Sequence, residues 1–422
     1  MKQFLINGGN TLRGEVEIES SKNALLPLLA STILSEKSTT LHKVPNFLDI
    51  QSMIKILQHI GLKVDFRDET LEIDGASASK TELGLDLTSP LRSSIYAMGA
   101  LLGRFKRAKI CYPGGCDIGL RPIDLHLRGL KDLNVKIIEQ HGNIYCDGSQ
   151  MRGGKIFLDF PSVGATVNLM LASVLTVGTT TIFNSAKEPE IVDLQNFLNK
   201  MGAKIKGAGT STIIINGVKK LRSVEYTPIG DRIVAGTYMI ASAMCGGKIT
   251  LRNCVYDHNQ YLLSLLSRAG SKVAINNDSI TIENSRRLKC IPKVETNPFP
   301  LFPTDLQPQF MALECISTGN SIIVENLYET RYKHVPELMK MGANIIVKNQ
   351  TAFVSGVERL YGAEVRASDL RAGAGLVLAG LTAKGYTTIN SIEHILRGYD
   401  KFEQKLCSIG ADIKLVETNQ CQ

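Results

Sequence analysis

One signal recurs six times along this chain and limits its fold more than anything else. Segments beginning at Gly61, Asn134, Gly202, Gly270, Gly342 and Gly410 share a form, as in Gly202-Ala203-Lys204-Ile205 and Gly410-Ala411-Asp412-Ile413. Their first residues lie 73, 68, 68, 72 and 68 positions apart. An amphipathic helix pattern precedes each signal, for example Asp193 to Met201, and a β-rich run follows it. Upstream in each unit lies a more apolar helix, rich in Ala, Leu, Met and Ser. These six run roughly over 23–34, 91–102, 163–176, 231–245, 305–318 and 369–383 and are expected to be buried nearly all round.

Each unit therefore reads helix, strand, helix, strand, turn, strand. Six such units of about 70 residues suit a closed pseudo-symmetric protein better than a solenoid, because groups of three can close around their own cores. The expected class is α/β (α+β), with six repeated strand-helix units forming two pseudo-threefold domains. Five units end on a strand and turn, such as Thr212 to Gly217, but the sixth has none after Ile413. Phe4-Leu5-Ile6-Asn7-Gly8 matches the missing piece. The N-terminal strand is thus expected to pair into the C-terminal half, giving domains of 22–229 and of 1–21 plus 230–422.

Equivalent positions at the start of the apolar helices carry Lys22, Arg92, Arg232 and Arg371. A cation at a helix N-terminus opposes the macrodipole, so their recurrence points to an anion held there. Ser21, Ser162, Asp231 and Asp369 at these starts also read as simple N-caps. Asp305 fits both an N-cap and a general base. A second cue is Tyr112-Pro113-Gly114-Gly115-Cys116-Asp117-Ile118-Gly119-Leu120-Arg121-Pro122, a glycine-bracketed loop holding one thiol near a guanidinium. Such a thiol is either reactive or simply an inert small hydrophobe.

Other chemistries are poorly supported. The net charge of +8 suits an anionic substrate, and no run of five like charges marks a nucleic-acid tail. Nine irregularly spaced cysteines without a Cys-x-x-Cys pair argue against a disulfide framework or a zinc site, and for a reducing cytoplasm. No phosphate-loop or dinucleotide fingerprint is present, and no apolar run approaches the roughly 18 residues that span a bilayer. Met1 to Ile6 leads into Asn7-Gly8-Gly9 without an apolar leader core, so no targeting segment is expected.

Taken together, the residues resemble the enolpyruvyl transferases over essentially residues 1–419. The likeness rests on Ser21-Lys22-Asn23-Ala24, the Pro113-to-Pro122 cysteine loop followed by Asp124-Leu125-His126, Pro161 to Thr166, Glu188 to Asp193, Phe302-Pro303-Thr304-Asp305, Asp369-Leu370-Arg371 and Arg397-Gly398-Tyr399. It implies an inside-out α/β barrel of two three-repeat domains, with the active site in the cleft between them. It implies transfer of the enolpyruvyl group of phosphoenolpyruvate to the 3′-hydroxyl of UDP-N-acetylglucosamine. No metal, organic cofactor, nucleic acid, membrane or obligate protein partner is implied.

By the same resemblance Lys22, Arg121 and Arg397 hold the phosphate of phosphoenolpyruvate, and Arg331 and Arg371 its carboxylate. Asp305 stands near the sugar hydroxyl, and Cys116 is a proton donor or aids product release. Asn23 contacts the sugar. Arg92, Arg121, Pro122, Ile123, Asp124, Leu125, Ser162, Val163 and Gly164 take the nucleotide sugar, with Leu327 and Asp369 also at the substrate. The chain departs from the family at Asp117, where a small residue is usual, at Val234, where many relatives carry Glu, and at Phe160. Shikimate 3-phosphate as acceptor, an RNA-end cyclase and a non-catalytic UDP-sugar sensor are the rival readings. The cysteine loop speaks against the first, the lack of a histidine motif against the second, and the full polar set against the third.

Overall fold

Left-handed backbone explains the sixfold signal. Gly61, Asn134, Gly202, Gly270, Gly342 and Gly410 have φ of 108°, 64°, 103°, 116°, 91° and 103°. Glycine takes that conformation without a Cβ penalty and asparagine tolerates it, so each helix stops there and the chain turns into a strand. These features come from a computed structural model that describes residues 2–114, 118–119 and 121–417.

The six apolar helices are α1 (Lys22–Ser31), α2 (Tyr96–Phe105), α3 (Val163–Ser173), α4 (Arg232–Cys245), α5 (Gln307–Ile316) and α6 (Leu370–Thr382). Burial is unbroken from Ala24 to Ser31 and from Leu370 to Leu381. Short 3-10 segments at Arg92–Ile95 and Thr304–Leu306 lead into α2 and α5. The second helix of each repeat, such as Pro189–Lys200, is amphipathic as its sequence requires.

Strands form six four-stranded sheets of one pattern. In each, an edge strand runs parallel to its neighbour and the other pairings are antiparallel, as in Lys155–Phe157 beside Thr179–Phe183. Burial alternates along the strands, so one face of each sheet lies on helices and the other is exposed. The N-terminal strand Lys2–Asn7 pairs antiparallel with both Tyr386–Asn390 and Asp412–Glu417, setting Phe4 opposite Ile389 and Leu415. It supplies the strand that the sixth repeat lacks.

The chain divides into two compact units. Unit 1 comprises Met1–Glu19, Asp117–Leu120 and Gly230–Gln422, and unit 2 comprises Ser20–Cys116 and Arg121–Ile229. Each has its own hydrophobic core around three of the apolar helices. Glycine lets the core helices approach closely. A Cβ on Gly99 of α2 would lie 2.2 Å from the Asn168 carbonyl oxygen on α3, and one on Gly375 of α6 would lie 2.8 Å from the Pro308 carbonyl oxygen on α5.

Candidate active site

In unit 1 the polar groups gather at the N-terminal ends of α4, α5 and α6. Asp231 caps α4, its Oδ1 accepting from the N–H of Ile233 at 2.8 Å and Val234 at 3.0 Å. Asp369 caps α6 in the same way through Arg371 at 2.9 Å and Ala372 at 3.1 Å. Both N-cap readings are therefore met.

Asp305, in the 3-10 turn before α5, is the centre of an ion cluster. Arg371 Nη2 lies 3.2 Å from its Oδ2, and Arg331 Nη2 lies 3.5 Å from its Oδ1. Arg331 also approaches Asp369 at 3.6 Å and donates to the Thr304 carbonyl at 3.0 Å. The two arginine side chains are only 2% and 3% exposed, against 28% for that of Asp305. Burial opposes the charge on Arg371, but Asp305, Tyr399 and Asp231 together outweigh it and raise the pKa of the guanidinium. Two buried donors in this cluster, Arg331 Nε and Arg371 Nη1, have no hydrogen-bond partner among the described residues. Buried N–H groups of this kind form a ready anion site, because desolvation has already been met and an acceptor would only gain.

A neighbouring carboxylate braces the cluster. Glu325 is fully buried and accepts from the hydroxyls of Thr296 at 2.9 Å and Thr304 at 3.0 Å, and from the N–H of Leu327 at 3.0 Å. It fixes both the turn that carries Asp305 and the backbone at Leu327. Burial raises its pKa, and Arg331 offsets part of that. Arg397 ends the 3-10 segment Ile392–Arg397 and is half-buried.

In unit 2 the starts of α1, α2 and α3 carry the equivalent groups. Ser21 and Ser162 cap α1 and α3, accepting from Ala24 and Ala165 N–H groups at 3.3 Å each. Lys22 pairs with Asp49 at 3.1 Å, both side chains mostly buried. Asn23, Ser162, Val163 and Gly164 are half-buried on the first turns. Arg92 donates to the Pro113 carbonyl at 3.1 Å and to the Arg121 carbonyl, so it ties together the two ends of the loop between them. Arg121 has φ of 46°, Pro122 and Asp124 are exposed, and Ile123 and Leu125 pack inward. Gly114 N–H donates to Thr88 O at 3.1 Å. Cys116 and Asp117 lie outside the described residues.

Behind α3, His126 accepts at Nδ1 from the Asn168 amide at 3.1 Å, while Asn168 Oδ1 accepts from Gly99 N–H at 2.7 Å. Burial first, then Arg92, lowers its pKa to about 3, so the ring is neutral.

The cations at the helix starts are thus already answered by protein groups. Lys22 and Arg371 meet carboxylates, Arg92 meets carbonyls, and Arg232 stacks over the Phe299 ring at 5.5 Å. Sequence reasoning singled out the cations but missed Asp49 and Glu325. Neither has a local motif, since each acts on a residue 20 or more positions away. Among the described residues no cluster of three or more His, Cys, Asp or Glu could hold a metal ion, and no helix is long and apolar enough to cross a membrane.

Residues 6–406 match the family model for EPSP synthase (3-phosphoshikimate 1-carboxyvinyltransferase), and the chain belongs to that family. Within it, the chain is similar to proteins named UDP-N-acetylglucosamine 1-carboxyvinyltransferase. It is 51% identical to one from Caldanaerobacter subterraneus subsp. tengcongensis over 98% of this chain and 99% of that protein. It is 45% identical to one from Clostridium botulinum over 98% and 99%. Among solved structures it is similar to the enolpyruvyl transferase NikO from Streptomyces tendae, with a TM-score of 0.87 and 25% identity over 99% of both chains. EPSP synthase from Acinetobacter baumannii shares the fold, with a TM-score of 0.76 at 18% identity over 99% of this chain and 100% of that one.

Proposed function

We propose that this chain transfers the enolpyruvyl group of phosphoenolpyruvate to the 3′-hydroxyl of UDP-N-acetylglucosamine and releases phosphate. The observation that carries this reading is its 51% identity, over nearly its whole length, to a protein named for that reaction. The reaction is the first committed step of peptidoglycan synthesis and takes place in the cytoplasm.

The chemistry divides into addition and elimination. In addition the sugar hydroxyl loses its proton as its oxygen bonds to C2 of phosphoenolpyruvate, and C3 gains a proton. In elimination the new methyl group gives up a proton, the double bond returns, and the C2–O bond to phosphate breaks. Every step handles a compact anion, so fixed cations carry most of the stabilisation. Arg331 and Arg371 take the carboxylate of phosphoenolpyruvate, and their two buried N–H groups without a partner among the described residues support this. Lys22, Arg121 and Arg397 take its phosphate. Arg92, residues 121–125 and Ser162 to Gly164 take the nucleotide sugar, and Asn23 contacts its ring.

Asp305 accepts the hydroxyl proton. It is held between two guanidiniums, Arg371 at 3.2 Å and Arg331 at 3.5 Å. Cys116 supplies the proton to C3 or aids product release. The reaction needs no metal or organic cofactor.

The test is phosphate release from phosphoenolpyruvate with UDP-N-acetylglucosamine and, in parallel, with shikimate 3-phosphate. Release with the nucleotide sugar alone is expected, and Asp305→Asn should lower kcat by 100-fold or more, within the range of a lost general base. Release with shikimate 3-phosphate alone would overturn the assignment.

A further inference from the structure

Arg371 is held from two sides, and only one of them belongs to the reacting groups. Besides its pair with Asp305, its guanidinium carbon lies 5.6 Å from the centroid of the Tyr399 ring. The Tyr399 side chain is 2% exposed, and its hydroxyl is 2.9 Å from Thr237 Oγ1 on α4 and 3.3 Å from Gln309 Nε2 on α5. Gln309 Nε2 also lies 3.2 Å from Thr237 Oγ1. Thr237 and Gln309 are both fully buried. One polar group from each core helix of unit 1 thus meets at Tyr399: Thr237 from α4, Gln309 from α5 and Arg371 from α6.

Counting protons fixes the direction of this network. Thr237 Oγ1 donates its one hydrogen to the Ile233 carbonyl at 2.9 Å. It can therefore only accept from Tyr399 and Gln309. Gln309 Nε2 carries two hydrogens, one for Thr237 and one for Tyr399. The Tyr399 hydroxyl then spends its own hydrogen on Thr237, so it can meet any further partner only as an acceptor. An oxygen that can only accept, beside a ring face, is an environment suited to a guanidinium. An apolar core would be simpler here, and burying four polar groups is costly unless their geometry is used.

We propose that Tyr399, oriented by Thr237 and Gln309, is a positioning residue that sets the angle of the Arg371 guanidinium and keeps its Nη1 turned toward the substrate carboxylate. The proposal rests on the reading of Arg371 as a ligand of phosphoenolpyruvate. Tyr399 touches no reacting atom, and its effect passes through Arg371.

The experiment is steady-state kinetics on the whole enzyme, varying each substrate in turn, with melting temperatures recorded alongside. Tyr399→Phe keeps the ring and removes the acceptor. It should raise KM for phosphoenolpyruvate about tenfold while KM for UDP-N-acetylglucosamine stays within about twofold. Thr237→Val should raise the same KM about threefold, and Thr237→Ser should restore it. In a double-mutant cycle Tyr399→Phe should add nothing to Arg371→Lys. An unchanged KM for phosphoenolpyruvate in both Tyr399→Phe and Thr237→Val, an equal rise for both substrates, or full additivity with Arg371→Lys overturns the proposal. A wild-type enzyme that turns over neither substrate pair would instead defeat the functional reading on which the proposal rests. If Tyr399→Phe does not fold, the Thr237 pair decides.

Discussion

Glu314 carries a charge problem far from any role in the site. It is 1% exposed on α5, and its carboxylate accepts the Ile291 N–H through both oxygens at 3.2 and 3.3 Å. Burial raises its pKa from the ordinary 4.5 to about 8, only partly offset by that hydrogen bond. The folded chain therefore binds this proton more tightly than the unfolded chain. The linked stability is fully present below about pH 4.5 and falls as pH rises toward 8. The loss is on the order of a few kcal/mol, at about 1.4 kcal/mol per tenfold change in proton affinity. Glu314→Gln keeps an acceptor for Ile291 but cannot ionise. Denaturant melts between pH 5 and 8 should show a flatter pH dependence in the variant than in wild type, and parallel curves would mean that Glu314 titrates normally. At this scale the sequence was legible wherever a side chain broke a local rule. Lys22, Arg92 and Arg371 stood out because cations oppose a helix N-terminus. Asp49, Glu325, Thr237 and Gln309 broke no local rule, and their roles exist only through contacts made by folding.

Helix starts and stops were the most readable elements. The left-handed residue after the second helix of each repeat is set by local backbone sterics, which is why its spacing survives as a visible repeat. The close helix pairs were not readable, because a glycine in an apolar helix looks like any small residue until its neighbour is known. Gly99 tests this. A Cβ there would lie 2.2 Å from Asn168 O and 2.3 Å from Asn168 Oδ1. Gly99→Ala must push α2 from α3, and Asn168 also holds His126. Overpacking of this kind costs about 1–3 kcal/mol, which outweighs the roughly 0.5–1 kcal/mol that alanine gains over glycine in a helix. Chemical denaturation should therefore show a net loss of stability, and a gain would mean that the helices part freely.

Across the whole molecule, chain order and spatial order differ at one place above all. The first strand of the chain completes the last repeat, so unit 1 cannot finish its third sheet without residues made first. Phe4 is fully buried at the middle of that sheet, opposite Ile389 and Leu415. Phe4→Ala should cost about 3–5 kcal/mol, the usual range for deleting a buried aromatic side chain. Since each unit has a separate hydrophobic core, the loss should stay local. Amide hydrogen exchange should quicken in Tyr386–Asn390 and Asp412–Glu417 of unit 1, while Thr212–Asn216 of unit 2 keeps its wild-type protection. Equal loss in both would mean that the two cores unfold as one. The sixth repeat would then draw its stability from the entire chain rather than from the strand at its beginning.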